Sequence, residues 1–287
     1  MKNKKVIFVI VLIISISILG YSQQTDRESD FRAVPIDGGK SVRITGYLGS
    51  NWSIVIPQRI QNLPVTHIGD NAFNQKNLIR VIIPSTVVYI GDDAFNNNEL
   101  TSIILPNNLI NIGNNAFSNN ALTNITIPNT VTYIGNGAFY NNQLNSIIIP
   151  NNISQIGYET FSRNQLVSIE IPDTVTDIGS SAFANNKLTD VSLPKNLRNI
   201  DAFAFSYNEI TSIIIPSGIT RIDGGTFINN KITRVSIGQN VQMETQLVAK
   251  LISAPGSFDS NFVNFYDQNG KRAGTYILSA SGNWRRE

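Results

Sequence analysis

Cysteine is absent from all 287 residues. That excludes a disulfide framework, a cysteine nucleophile, a thiolate metal site and a lipid-bearing N-terminal cysteine. Stability outside the cell would then rest on packing and hydrogen bonds alone. Histidine occurs once, as His67, and no nucleophile is spaced to use it as a general base. The HExxH, GxSxG and calcium-loop patterns are missing too. GGKS at 38–41 has the ending of a phosphate loop, but Val34 stands where its first glycine is needed, and a hairpin turn explains the glycines better. Carboxylates are scattered rather than paired, which suits a solvated surface. The expectation is a protein without catalysis, metal or cofactor.

Charge is also nearly balanced. Lys2, Lys4 and Lys5 precede an apolar run from Val6 to Leu19, followed by Gly20 and Ser22. A basic start, a short apolar stretch and a small-x-small site make a secretory signal peptide over residues 1–22. The alternative is an uncleaved anchor, for which this run is short. Removing three of the 22 basic residues leaves 19 against 20 acidic ones, so the mature chain is near −1. A nucleic-acid partner is therefore not expected. Membrane contact is expected only through the signal segment.

What the chain does have is a repeat. Prolines stand at 84, 106, 128, 150, 172, 194 and 216, each 22 residues apart, and Gly238 takes the next slot. Phenylalanines keep step at 73, 95, 117, 139, 161, 183, 205 and 227, using eight of the fourteen in the chain. The expected fold is a solenoid, a right-handed coil of 22-residue units with short parallel strands on one face. In LTNITIP, Ile125 and Ile127 alternate inward as a strand. Pro128 ends that strand because it cannot donate to a ladder. Val131 and Ile134 form a second inward pair, Gly135 permits a turn, and the Ala–Phe pair fills the centre. Each coil is too thin to bury its own apolar face, so its neighbours must cover it. At about 4.8 Å per coil, eight or nine coils make a body roughly 40 Å long.

The unit LxxIxIPxxVxxIGxxAFxxN is that of a leucine-rich repeat and resembles the BspA-type family of bacterial surface proteins over residues 31–238. GYLGSNWSIVIPQRIQNLPVTHIGDNAF is similar to that family's entry unit, including its five extra residues between Pro57 and Ile68. The resemblance implies a secreted or cell-surface protein that adheres to host proteins or other cells. One departure is that many members carry cysteine near the end of each unit, where this chain carries Asn.

Four regions are expected: the signal peptide (1–22), an N-terminal hairpin cap (23–57), the solenoid (58–238) and a C-terminal cap of helix then β-hairpin (239–287). Asp37-Gly38-Gly39 marks the N-terminal turn. At the other end Glu244 falls in the slot that held Ile222, so the register is expected to fail there. Leu247, Val248, Leu251 and Ile252 have helical spacing, ending at Pro255-Gly256. The stretch from Asn261 to Glu287 reads as strands around an Asn269-Gly270 turn. Its aromatics Phe262, Phe265, Tyr266, Tyr276 and Trp284 either plug the last coil or present a patch, and the need to cover an open end favours the plug.

Binding by a solenoid is expected on the strand face. Its outward column reads Ile82, Ile104, Thr126, Ile148, Glu170, Ser192, Ile214 and Ser236, beside Arg80, Ser102 and Asn124 in the column before it. We take Arg80, Ile82, Ile104, Thr126, Ile148, Glu170 and Ile214 as the candidate site for an extracellular protein. Outward isoleucines mark an interaction surface on one reading. On the other, β-branched residues simply suit strands. The column of His67, Tyr89, Asn111, Tyr133, Gln155, Asp177, Asn199 and Arg221 is too varied to be anything but solvent-facing. A self-assembling envelope component is the alternative to a ligand-binding protein.

Asparagine forms two populations. Asn98, Asn120, Asn142, Asn164, Asn186, Asn208 and Asn230 hold one unbroken column, with Lys76 in the entry unit. An amide carries donors and an acceptor, so this column is expected to bond loop backbone in its own coil and the next. Others, such as Asn107, Asn108, Asn114 and Asn115, read as turn filler.

Overall fold

The structure is a computed structural model, and it describes residues 25–243 and 260–287. The signal segment and the Leu247–Ile252 pattern lie outside the described residues.

The 22-residue spacing closes the chain into about nine stacked turns. Each turn contributes to two walls. On one wall lies the Tyr–Ile or Asn–Ile pair of each unit, in parallel ladders one residue under the next. Tyr89 pairs with Asn111 and Asn111 with Tyr133, while Ile90, Ile112 and Ile134 follow inward. The ladder resumes from Gln155 through Asp177, Asn199 and Arg221 to Gln242. The register does not fail where the repeat pattern runs out. Val241 is buried in the slot of Ile219, and Ile222 pairs with Met243 rather than with residue 244. One residue is dropped between the two inward positions, so the last turn is shorter by one and Met243 takes the inner place.

Between the walls run the phenylalanines. From Phe73 to Phe227 their rings stack with centroids 5.0–5.7 Å apart and planes within 12° of parallel. All eight are essentially unexposed. Burying one such ring is worth about 1.5–3 kcal/mol, so this column holds much of the apolar driving force. Phe31 and Tyr47 close its first end against Phe73, at 6.3 and 5.9 Å.

The other wall carries the LxxIxIP segments and is interrupted. Ser53–Val55 pairs with Arg80–Ile82, Ser168–Glu170 with Asp190–Ser192, and Ser212–Ile215 with Arg234–Ile237. Residues 102–105, 124–127 and 146–149 form no strand. The sequence led us to expect one at 122–128. Ile125 and Ile127 do turn inward, at 8% and 5% exposure, but the backbone does not join a ladder. The rings on either side of Phe139 are 5.7 Å apart, but ring spacing alone does not set the break, since the 5.0 Å step from Phe73 to Phe95 also lacks a ladder on this wall.

Both ends are covered. Phe31–Ile36 and Ser41–Tyr47 form an antiparallel hairpin through Asp37-Gly38-Gly39, all at positive φ, and Ser41–Tyr47 joins the wall beside Leu63–Ile68. The five extra residues of the entry unit fold into a smaller hairpin, Arg59–Ile60 with Leu63–Pro64. Gln61 and Asn62 at its tip both take positive φ, as a type I′ turn requires. At the far end Ser260–Gln268 is a helix, not a strand. Phe262 and Tyr266 fall four apart on its buried side, and Gly270 at φ +69° lies just past its end. The turn signal at Asn269-Gly270 therefore ends a helix instead of joining two strands. Gly274–Leu278 then adds antiparallel to Arg234–Ile237, and Trp284–Arg286 adds outside it. Phe262, Tyr266, Tyr276 and Trp284 are buried against one another, which makes this aromatic group a plug.

Candidate functional site: the strand wall and its asparagine spine

The interrupted wall holds the candidate site. Because Ile103, Leu105 and their equivalents are drawn into the core, the residues between them must face water. Ile104, Ile148 and Ile214 are 86%, 80% and 71% exposed, and Thr126 and Glu170 are exposed between them. Ile104, Thr126 and Ile148 occupy successive coils. Arg80 is exposed as well. Ile82 differs from the rest of its column, being half-buried beside its register partner Val55. Two clefts open where the ladder breaks. One, of about 280 Å³, lies between Ile148 and Glu170, with Asn151 and Pro172. The second, of about 290 Å³, lies between Ser192 and Ile214, with Asp190 and Pro216. The wall thus offers exposed isoleucines with small polar neighbours, and nothing on it is placed to do chemistry.

Behind this wall the asparagines form a spine. Each one's Nδ2 donates to the carbonyl of the phenylalanine 25 residues earlier, at 2.8–3.0 Å from Asn98 to Asn230. Each Oδ1 accepts the backbone N–H 20 residues earlier, at 3.0–3.1 Å. Every member except the half-buried Asn120 is buried. The bonds run to the same coil and the preceding one, whereas the sequence reading had the next. The residue before each spine Asn turns left-handed, as at Asn97, Asn119 and Asn141, where Asn tolerates φ > 0 better than most residues. A second spine was missed. Asp70, Asp92, Asn114 and Asn136 each accept the backbone N–H of the residue 22 positions on, at 2.7–2.9 Å. Asn114 is therefore structural and not filler. Its signal was the run of Asx residues at the 22-residue period.

His67 is half-buried, stacked on Tyr89 at 5.2 Å, with Nδ1 2.9 Å from the Thr66 hydroxyl. Burial, then the Arg43 charge, pushes its imidazole below the usual histidine range. Among the described residues no group of His, Cys, Asp and Glu could hold a metal ion, and no helix is long and apolar enough to cross a membrane.

The BspA type leucine rich repeat region matches residues 66–186 and 132–248, which is more than half of the chain. The chain belongs to the BspA-type leucine-rich repeat family. No curated protein matches it. A leucine-rich repeat protein from Bacteroides ovatus is similar in structure, with TM-score 0.61 and 23% identity over 79% of this chain and 68% of that one. A leucine rich cell surface protein from Faecalibacterium prausnitzii aligns at TM-score 0.48 and 22% identity, over 92% of this chain and 61% of that one. In this BspA-type chain the asparagine closing each unit is the spine residue, and the unit's Phe supplies the carbonyl that the spine binds.

Proposed function

We propose that this BspA-type protein is a secreted or surface-held, adhesin-like module that binds an extracellular protein on its strand wall and catalyses nothing. The observation that carries the reading is the exposure of Ile104, Ile148 and Ile214 on a wall anchored by the hydrogen-bonded asparagine spine. Apolar side chains held rigidly in water favour association, since each covered square ångström returns about 25 cal/mol and little ordering entropy is lost. The flanking Ser and Thr residues leave few charges to desolvate. The basic-then-apolar start of the chain supports export. The test is surface plasmon resonance against immobilised extracellular-matrix proteins. Ile104→Asp/Ile148→Asp/Ile214→Asp should keep the melting temperature and bind at least tenfold more weakly. Unchanged affinity in the folded triple variant refutes the site.

A self-assembling envelope component is the second reading. Trp284–Arg286 favours it, because that strand pairs on one side only among the described residues. Sedimentation velocity separates the two, since an assembling protein grows with concentration and a monovalent binder does not.

A further inference from the structure

The opposite wall carries a second surface of different chemistry. Arg43, His67, Tyr89, Asn111 and Tyr133 are register partners in the longest continuous sheet of the molecule. Between Glu99 and Glu159 the sequence contains no Asp, Glu, Lys, Arg or His. Two whole coils and parts of their neighbours therefore offer only amides, hydroxyls, aromatic rings and aliphatic groups to a ligand. Tyr133 and Ile110 are about half exposed. Tyr89 stacks on His67, and Asn111, between the two tyrosines, is half-buried with its side-chain oxygen turned away from solvent. Farther along the same wall the column turns ionic, with Asp177 and with Arg221 bridged to Asp201 and Asp223. The wall thus runs from an aromatic half, uncharged at Asn111 and Tyr133 but bordered at Tyr89 by Arg43, Asp70 and Asp92, to a charged half.

We propose that the aromatic half, with Tyr89 at its border and Asn111 and Tyr133 in its uncharged part, binds an extended neutral polysaccharide lying along the solenoid axis. The faces of sugar rings are apolar C–H surfaces and their edges are hydroxyls, which matches aromatic rings alternating with amides. Coils rise by about 4.8 Å, close to the advance of one sugar in an extended β-1,4-linked chain. Tyr89 and Tyr133, two coils apart, then meet every second sugar on the same side, with the half-buried Asn111 in the coil between them. Around Asn111 and Tyr133 a charged partner finds no complementary group, and near Tyr89 the Arg43 cation is offset by Asp70 and Asp92.

The test is native affinity electrophoresis of the purified chain in gels containing hydroxyethyl cellulose, galactomannan or polygalacturonate. Migration should be retarded by at least one of the two neutral polymers and not by polygalacturonate. Tyr89→Ala/Tyr133→Ala should weaken the apparent affinity about tenfold, Tyr133→Phe should retain it, and Ile104→Asp/Ile148→Asp should leave it unchanged. Tyr133→Ser, at a half-exposed position, replaces the double variant if the latter does not fold. Retardation by neither neutral polymer, equal retardation of the folded tyrosine variants, or preference for polygalacturonate overturns the proposal.

Discussion

Replacing Asn142 by alanine isolates what the spine contributes. Its Nδ2 donates to the Phe117 carbonyl at 2.9 Å, with longer bonds to Phe139 and Tyr140 at 3.3 Å. Its Oδ1 accepts the Leu122 N–H at 3.0 Å. The side chain is 5% exposed and Leu122 is not exposed at all, so water cannot take over. The truncation leaves the Leu122 N–H buried and unpaired, at about 1–3 kcal/mol, and removes the shorter of two donors from the Phe117 carbonyl, which keeps Asn120 Nδ2 at 3.2 Å. The expected loss is roughly 3 kcal/mol, and at about 2–4 °C per kcal/mol for a large domain this lowers the melting temperature by roughly 6–12 °C. Asn151 occupies an exposed turn, and Asn151→Ala should stay within about 0.5 kcal/mol. Differential scanning calorimetry of both variants is the assay. A solenoid couples mainly to its nearest neighbours, so the Asn142→Ala transition should also broaden as the coils on either side separate. Equal shifts for the two variants would refute the spine as a source of stability.

Other consequences follow from single positions. Asn120 is only half-buried, so Asn120→Ala should cost less than Asn142→Ala in the same melts. A Cβ on Gly135 would stand 2.4 Å from the Asn114 backbone nitrogen, whereas one on Gly38 would meet nothing within 4 Å. Gly135→Ala should therefore lose at least about 2 kcal/mol by overpacking. Gly38→Ala, with φ +67°, should lose only about 1 kcal/mol in urea denaturation. The folded state depresses the His67 pKa, so the unfolded chain binds the proton more readily and stability is lost as pH falls from 7.5 through the folded value. His67→Gln should flatten that part of the melting-temperature profile, and an identical pH dependence would contradict the assignment.

The inner half of the fold was legible because burial constrains it. Phe, Pro, Gly and the inward Ile recur every 22 residues since each must fit the same place in every coil, and the spine Asn recurs for the same reason. Features set by neighbouring coils were not legible. The missing ladder at 124–127 depends on how neighbouring coils sit against each other, which no local pattern encodes. The direction of the Asn bonds depends on which coil lies behind the wall. Met243 kept the register through a one-residue deletion, which a strict period excludes. At Asn269-Gly270 the turn signal was real, but the Phe262–Tyr266 spacing upstream decided what it terminated. On the candidate site, outwardness could be read from alternation, whereas the cover over Ile82 comes from Val55, distant in sequence. The charge-free run between Glu99 and Glu159 is plain in the sequence, but which wall its side chains line is set only by the coiling.

Hydrogen–deuterium exchange, with and without an extracellular-matrix protein that retains the chain in surface plasmon resonance, tests the proposed strand-wall interface most directly. Residues 102–105, 124–127 and 146–149 are outside any strand ladder, so their amides should exchange early in the free protein. Binding should slow exchange there and leave the Tyr–Ile wall at 89–90, 111–112 and 133–134 unchanged. Protection confined to the opposite wall or to the C-terminal plug, with none at 102–149 of the strand wall, would contradict the account.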